Sequence, residues 1–305
     1  MSEELQVCPL CGTGRFKELY VAKDRHYGIR GFHRIVRCNE CFLVFLNPMY
    51  SGEELAAFYP NDYYAYQDNF ATSRWRQLAR RILGYLVGTK EPKFERPGTV
   101  LDLGCGSGWF LEHLRAQGWS TYGVEISDQA AVLGRESRGL QIFSGTLQEA
   151  KFPSEFFDYV RANQSFEHMS CPNETLDEIY RILKPKGKLL LAVPNVASVN
   201  AHIFKQYWWH LCAPVHAFNY SKETLLRFLK KHQFQVERVS FNSDYFGILG
   251  SSQIWLNRKN GKKSGEGWVV NNYPLRFVCQ CVANLLDFAG QGDLIEITAV
   301  RRELV

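Results

Sequence analysis

The sequence lacks any apolar run long enough to cross a bilayer: its longest, Phe42 to Leu46 and Leu189 to Val193, are strand-sized against the ~20 residues of a spanning helix. It also lacks a basic segment followed by an apolar one at its start, where Met1-Ser2-Glu3-Glu4 is acidic. No secretory signal is visible, and a cytoplasmic setting is expected. Charge of one sign is scarce as well. The 36 Lys+Arg and 31 Asp+Glu leave a net +5, too little to point to nucleic acid without a concentrated patch. There is no internal repeat. What remains is ordinary globular material, 46% hydrophobic, 14% aromatic and 22% charged. That balance excludes disordered, collagen-like and coiled-coil chains. At 305 residues the chain exceeds the usual size of one core, so a catalytic-size domain with a smaller appendage is expected.

Nine cysteines form an odd set, which without a signal segment favours reduced thiols and metal ligation over disulfides. Four of them stand in matched pairs, Cys8-Pro9-Leu10-Cys11 and Cys38-Asn39-Glu40-Cys41. Two such knuckles aim their thiolates at one tetrahedral, structural Zn²⁺, and Gly12 permits the tight turn behind the first. The competing readings are two chance pairs or a redox dithiol. Residues 1–50 are thus expected to be a zinc-ribbon unit whose folding free energy comes largely from the metal, so zinc removal should unfold mainly this unit. His26 and His33, between the pairs, are expected at the surface.

Residues 51–96 read as a helical connector. Within it, 73–86 sets Arg74, Arg76, Arg80 and Arg81 among Trp75, Leu78, Ile82, Leu83 and Leu86, a basic amphipathic helix. It suits a membrane surface or an acidic substrate, or simply packs across a cleft with its arginines in water. Pro97-Gly98 marks a boundary. From 97 to 305 strand and helix patterns alternate: strands at 99–103, 120–126, 140–143, 157–162 and 188–193, with helices at 108–117, 128–138 and 173–183 between them. That is a doubly wound α/β domain. An aromatic-rich excursion, 195–220, precedes a helix at 221–232 and strands at 236–242 and 293–300. Residues 257–290 insert a polar, mobile loop (257–267) and an apolar helix (275–289), which covers the sheet, a membrane surface or a second subunit.

The chemistry concentrates at Val100-Leu101-Asp102-Leu103-Gly104-Cys105-Gly106-Ser107-Gly108, an apolar strand ending in an acid and a glycine loop that opens a helix. A dinucleotide loop of the G-x-G-x-x-G kind would need glycine at 109, where Trp109 stands. In the G-x-G-x-G form, Gly104, Gly106 and Gly108 remove Cβ atoms where a ligand presses on the backbone. Asp102 can hold an ammonium group, so the site suits the zwitterionic tail of S-adenosylmethionine. Glu125, followed by Ile126, closes the second strand, where a carboxylate accepts both hydroxyls of a ribose. Gly145, Thr146 and Leu147 stand at the end of the third strand, where an adenine edge would lie. Asn163 and Gln164 end the fourth, on the same crevice.

On these residues the chain resembles the class I S-adenosylmethionine-dependent methyltransferases, with 101–108, Glu125, 164–168 and 183–194 matching their ordered motifs over about the last two thirds of the chain. The knuckles, followed by Phe42 to Pro48 and Phe58 to Tyr64, resemble a zinc-ribbon subgroup associated with sugar, cell-surface glycan and secondary-metabolite synthesis. The resemblance implies a seven-stranded Rossmann-like sheet with an antiparallel last strand at 293–300. The family often carries aspartate where this chain has Thr146, which puts a direct contact to the adenine amino group in doubt.

A sulfonium methyl is already activated, so alignment of a nucleophile and exclusion of water are the main demands. An alcohol acceptor still needs a base, for which histidine is the apt residue. His216 in the excursion and His168 after the fourth strand are the candidates, with His216 favoured; either can instead be a buried histidine bonded to a carbonyl. The expected acceptor is a small molecule, a sugar nucleotide or a lipid-linked glycan intermediate, with peripheral membrane contact and oligomeric state open. The alternatives are an RNA methyltransferase that binds through the ribbon and the arginine helix, or a binding protein that holds the cofactor without catalysis. Modest charge and the absence of an Asn-Pro-Pro-aromatic loop argue against RNA.

Overall fold

Alternating apolar and polar residues around the knuckles give short strands half in water. The computed structural model, which describes residues 3–51, 54–55, 58, 91–260 and 262–302, folds them as β1 (Phe16–Ala22), β2 (His33–Cys38) and β3 (Val44–Leu46). β1 pairs antiparallel with β2, and β2 with β3. His26 and His33 are not surface residues. His33 is buried with Nδ1 on Tyr50 Oη at 3.0 Å, and His26 bridges Trp209 O at 2.9 Å and Ser264 Oγ at 3.0 Å. Of the expected connector, all but residues 51, 54–55, 58 and 91–96 lies outside the described residues, the arginine helix included.

The near-continuous apolar runs that follow read as strands covered on both faces, and they build the main sheet. β4 (Thr99–Leu103), β5 (Ser120–Glu125), β6 (Gln141–Ser144), β7 (Phe157–Asn163) and β8 (Leu183–Pro194) pair in parallel, with α1 (Trp109–Arg115), α2 (Asp128–Arg138) and α3 (Pro172–Ile182) between them. After α4 (Val199–Phe204), the two-residue β9 (Phe218–Asn219) and α5 (Lys222–Lys231), β10 (Phe234–Phe241) and β11 (Leu294–Arg301) complete a seven-stranded sheet. Its order is β10-β11-β8-β7-β4-β5-β6, and β11 runs antiparallel to both neighbours. This is the doubly wound methyltransferase arrangement. The strand order switches direction between β4 and β7, and beyond the carboxyl ends of the strands at such a point sheets of this kind open a ligand crevice.

Two joints fix what roofs that crevice. β9 pairs antiparallel with β3, so the excursion supplies the fourth strand of the N-terminal sheet. At the other end the buried Asp293 accepts bonds from Ser198 Oγ (2.7 Å), Asn200 Nδ2 (2.6 Å) and Trp208 Nε1 (2.9 Å), which satisfies an otherwise costly buried acid and ties the excursion to the foot of β11. A helix not anticipated, α6 (Phe246–Asn257), packs here. A Cβ on Gly247 would lie 1.9 Å from Asp293 Oδ2, and one on Gly250 2.2 Å from the Trp209 ring. The polar loop after α6 is pinned rather than loose: Asn257 Nδ2 donates to Lys263 O and Glu266 O at 2.9 Å, and Ser264 N donates to Arg25 O at 2.8 Å. α7 (Tyr273–Phe288) follows, as expected for the apolar insertion.

Candidate functional site

The glycine loop sits at the β4 end of the crevice in backbone shapes that L side chains rarely adopt. Gly104, Gly106 and Gly108 have φ of +71°, +54° and +81°, and a Cβ at Gly104 would lie 2.6 Å from Ser165 Cβ, one at Gly108 2.4 Å from Leu140 Cδ1. Ser165 Oγ in turn donates to Leu103 O at 2.7 Å and clasps the loop to the end of β7. Across it, the buried Glu125 accepts from the amides of Gly106 (2.8 Å) and Ser127 (2.9 Å). Burial raises its pKa and those amides pull it back. Ile126, next in line, is 40% exposed, an apolar surface beside the acid. The amide and hydroxyl of Thr146 both donate to Glu149 Oε2 at 2.7 Å, which sets a carboxylate against the turn after β6. Gly145 keeps a φ of +139°, the Leu147 side chain is buried in the core, Asn163 ends β7, and Gln164 follows with φ +54°, its backbone N–H donating to Ala192 O. These residues fit S-adenosylmethionine: a glycine loop in backbone shapes that L side chains rarely adopt, and one buried acid near each of two adjacent strand ends.

The sequence reading missed Arg161. It lies opposite Asp102 in the β4–β7 register, and its Nη1 donates to Asp102 Oδ1 at 3.0 Å. Its Nε donates to Glu91 Oε1 at 3.0 Å, Tyr159 Oη bonds the same carboxylate, and the guanidinium lies 3.9 Å from the Phe110 ring centroid. Burial raises the Asp102 pKa, and the arginine opposes that rise. The available signal was a lone cation inside the apolar run Phe157-Asp158-Tyr159-Val160-Arg161-Ala162, where an unpaired charge would not be tolerated.

At the β7 end, the turn Phe166–His168 and the excursion bring Glu167, His168 and His216 together, with ligand-type atoms all within 4.8 Å of one another. His168 Nδ1 is 2.9 Å from Val215 O; a carbonyl can only accept, so Nδ1 carries a proton in this bond. Glu167 is 1% exposed, and neither of its oxygens has a hydrogen-bond partner; His216 Nδ1 and Tyr220 Oη are likewise buried without one. Desolvation pushes the Glu167 carboxyl up to about 8 and the His168 imidazole down to about 4. It also depresses His216, helped by the neighbouring His168, His210 and His26. Near neutral pH the cluster is therefore an uncharged acid beside uncharged imidazoles.

In the N-terminal sheet, Cys8 Sγ lies 3.4 Å from Cys41 Sγ and Cys11 Sγ 3.5 Å from Cys38 Sγ, with all four sulfurs within 4.8 Å of one another. Disulfides would require ~2.05 Å, whereas four sulfurs at ~2.3 Å from one Zn²⁺ stand ~3.8 Å apart. The donor set fits zinc.

A family profile described as a methyltransferase domain matches residues 68–239. A malonyl-[acyl-carrier protein] O-methyltransferase of Erwinia billingiae is 30% identical over 122 residues, 39% of this chain and 48% of that protein. A demethylmenaquinone methyltransferase of Listeria welshimeri is 28% identical over 148 residues, 44% of this chain and 58% of that protein. The chain thus spans about half the length of the curated relatives it matches. A chain from the Haloferax volcanii complex containing the Trm112 methyltransferase activator superposes with a TM-score of 0.52 at 18% identity, covering 75% of this chain and 94% of that one. At that identity the likeness concerns the fold alone.

Proposed function

This chain belongs to the methyltransferase-domain family, and on that premise we propose that it transfers a methyl group from S-adenosylmethionine to a small-molecule acceptor, a sugar nucleotide or lipid-linked glycan intermediate. What supports the reading is the glycine loop anchored by Glu125 and clasped by Ser165, two residues before the buried Glu167–His168–His216 cluster. Asp102 and the loop amides would hold the amino-acid tail, Glu125 the ribose, and Ile126 with residues 145–147 the adenine. The bound cofactor supplies an electrophilic methyl. His216 takes the proton of the acceptor hydroxyl at Nδ1, while Glu167 and His168 shape the pocket and exclude water. The relatives named for malonyl-[acyl-carrier protein] and demethylmenaquinone methylation also favour acceptors other than nucleic acid.

Calorimetry tests the cofactor half. Glu125→Ala should weaken S-adenosylmethionine binding about 100-fold, since it deletes charge-assisted bonds and releases the Gly106 amide. Unchanged affinity would overturn the assignment. Labelled-methyl transfer screened against sugar nucleotides, lipid-linked glycans and RNA tests the other half. His216→Asn should keep cofactor affinity and lose turnover, and label appearing in RNA alone would replace this reading by the nucleic-acid one.

We assign a structural Zn²⁺ to Cys8, Cys11, Cys38 and Cys41. Because β9 is held by β3, loss of the metal should loosen the roof as well as the ribbon. Cys41→Ser should lower zinc content from about one equivalent and raise the acceptor KM while cofactor affinity stays. A zinc assay showing no metal in the wild-type chain would defeat the assignment.

A further inference from the structure

A helix at a protein surface ordinarily turns its apolar stripe inward, and α7 leaves most of its large apolar side chains outside. Two of its polar side chains turn to the fold: Asp287 accepts from Ser243 N (2.7 Å) and from Ser243 Oγ, and Gln280 Nε2 donates to Ser243 O at 3.0 Å. Its large apolar side chains face out. Tyr273 is 76% exposed, Phe277 71%, Leu285 68% and Phe288 95%, at a spacing that sets them on one face, and Val278 and Val282 widen the stripe. Trp268, 70% exposed in the preceding loop, and Trp255 and Leu256 on α6 extend the exposed apolar surface. Folding alone gives no reason to leave so much large apolar surface in water.

We propose that the surface formed by α6, α7 and the loop joining them docks on an anionic lipid bilayer. The charge beside the aromatics selects the partner. The Arg258 guanidinium lies 3.8 Å from the Trp255 ring centroid and that of Arg276 4.9 Å from the Tyr273 ring, with exposed Lys259, Lys262 and Lys263 in the loop between. Against these cations the segment 255–290 holds only Glu266 and Asp287, and Asp287 is bound to Ser243. Aromatic rings with apolar side chains at the depth of the acyl boundary, and Lys and Arg at the headgroups, form the signature of an interfacial surface. A second copy fits less well. A two-fold contact through this face would bring two cationic rims together, whereas the core of a protein interface is depleted of charge. Among the described residues no helix is long and apolar enough to span a membrane, so α7, 16 residues and about 24 Å long, lies in the interface rather than across it.

Co-sedimentation of the full chain with phosphatidylglycerol–phosphatidylcholine vesicles, with pure phosphatidylcholine vesicles as the comparison, tests the proposal. Binding should be confined to the anionic vesicles, weaken with added salt, and shift tryptophan emission to the blue. Phe277→Glu with Leu285→Glu should lower vesicle affinity by about tenfold or more, and Lys259→Glu with Lys262→Glu should weaken it without touching the apolar stripe. Cofactor affinity checks that each variant is folded, and a failed methyl-transfer assay leaves the vesicle result intact. Absence of sedimentation, equal binding to both vesicle types, or a dimer in light scattering that Phe277→Glu dissolves would each overturn it, the last by naming a second copy as the occupant.

Discussion

Replacing Arg161 with methionine is expected to cost about 3–5 kcal/mol of folding stability, because it strands two acids in a site built around one cation. The Arg161 side chain is 11% exposed and that of its partner Asp102 3%. Glu91, 31% exposed, loses its bond to Nε as well. Methionine fills much of the same volume against Phe110, so packing loss adds little and the change reports the unpaired charge. Urea unfolding at neutral pH measures it, and the linear-extrapolation slope shows whether the transition stays two-state. Adding Asp102→Asn to Arg161→Met should restore part of the stability, since the buried charge is removed together with its partner. A loss below about 1 kcal/mol for the single substitution would mean that Asp102 is held neutral without the arginine, and the ion-pair account would fail.

Replacing Glu167 with glutamine is expected to do the opposite to stability, in a pH-dependent way. The folded carboxyl titrates at about 8 against an ordinary 4.5, so across that window the folded chain holds a proton that the unfolded chain has released. Stability linked to this group is therefore fully present below about pH 4.5 and is lost as pH rises to about 8, by roughly 3–5 kcal/mol. The depressed His168 and His216 act with the contrary slope at more acid pH, favouring the folded state as pH rises toward neutrality. Comparing wild type with Glu167→Gln isolates the carboxyl. The two melting curves should approach each other at pH 5 and separate at pH 8, with the variant the more stable. Parallel curves over that range would show that Glu167 is ionised or partnered in the folded chain. An acid kept in place at such a cost to stability is the pattern of a site retained for function.

The motifs of the cofactor side were legible because each is local. A strand, an acid and a glycine turn occupy 101–108, and Glu125 ends the next strand; no distant residue has to be known to place them. The periodicities of α2, α3 and α5 were legible for the same reason, each presenting one apolar face to the sheet. α6 was not, because Gly247, Gly250, Ser251 and Ser252 lower its helix propensity and blur its faces. Those glycines are explained only by Asp293 and Trp209, which stand against them in the fold. His26 and His33 were misplaced on similar grounds. Nothing near them in the chain indicates that Trp209, Ser264 and Tyr50 will close around them.

From residue order alone come the alternating strands and helices, the cysteine knuckles and the acids at the ends of β4 and β5, since these depend on spacing along a strand or turn; the reversed final strand was implied by the family resemblance. Only the tertiary structure joins the N-terminal sheet to the catalytic fold through β3 and β9, pairs Arg161 with Asp102, and sets Glu167 against His216 in a pocket without water-facing oxygens. The physical reason is range. Backbone conformation is set by neighbours in sequence, whereas the burial that moves a pKa and the partner that satisfies a charge are supplied by chain dozens of residues away.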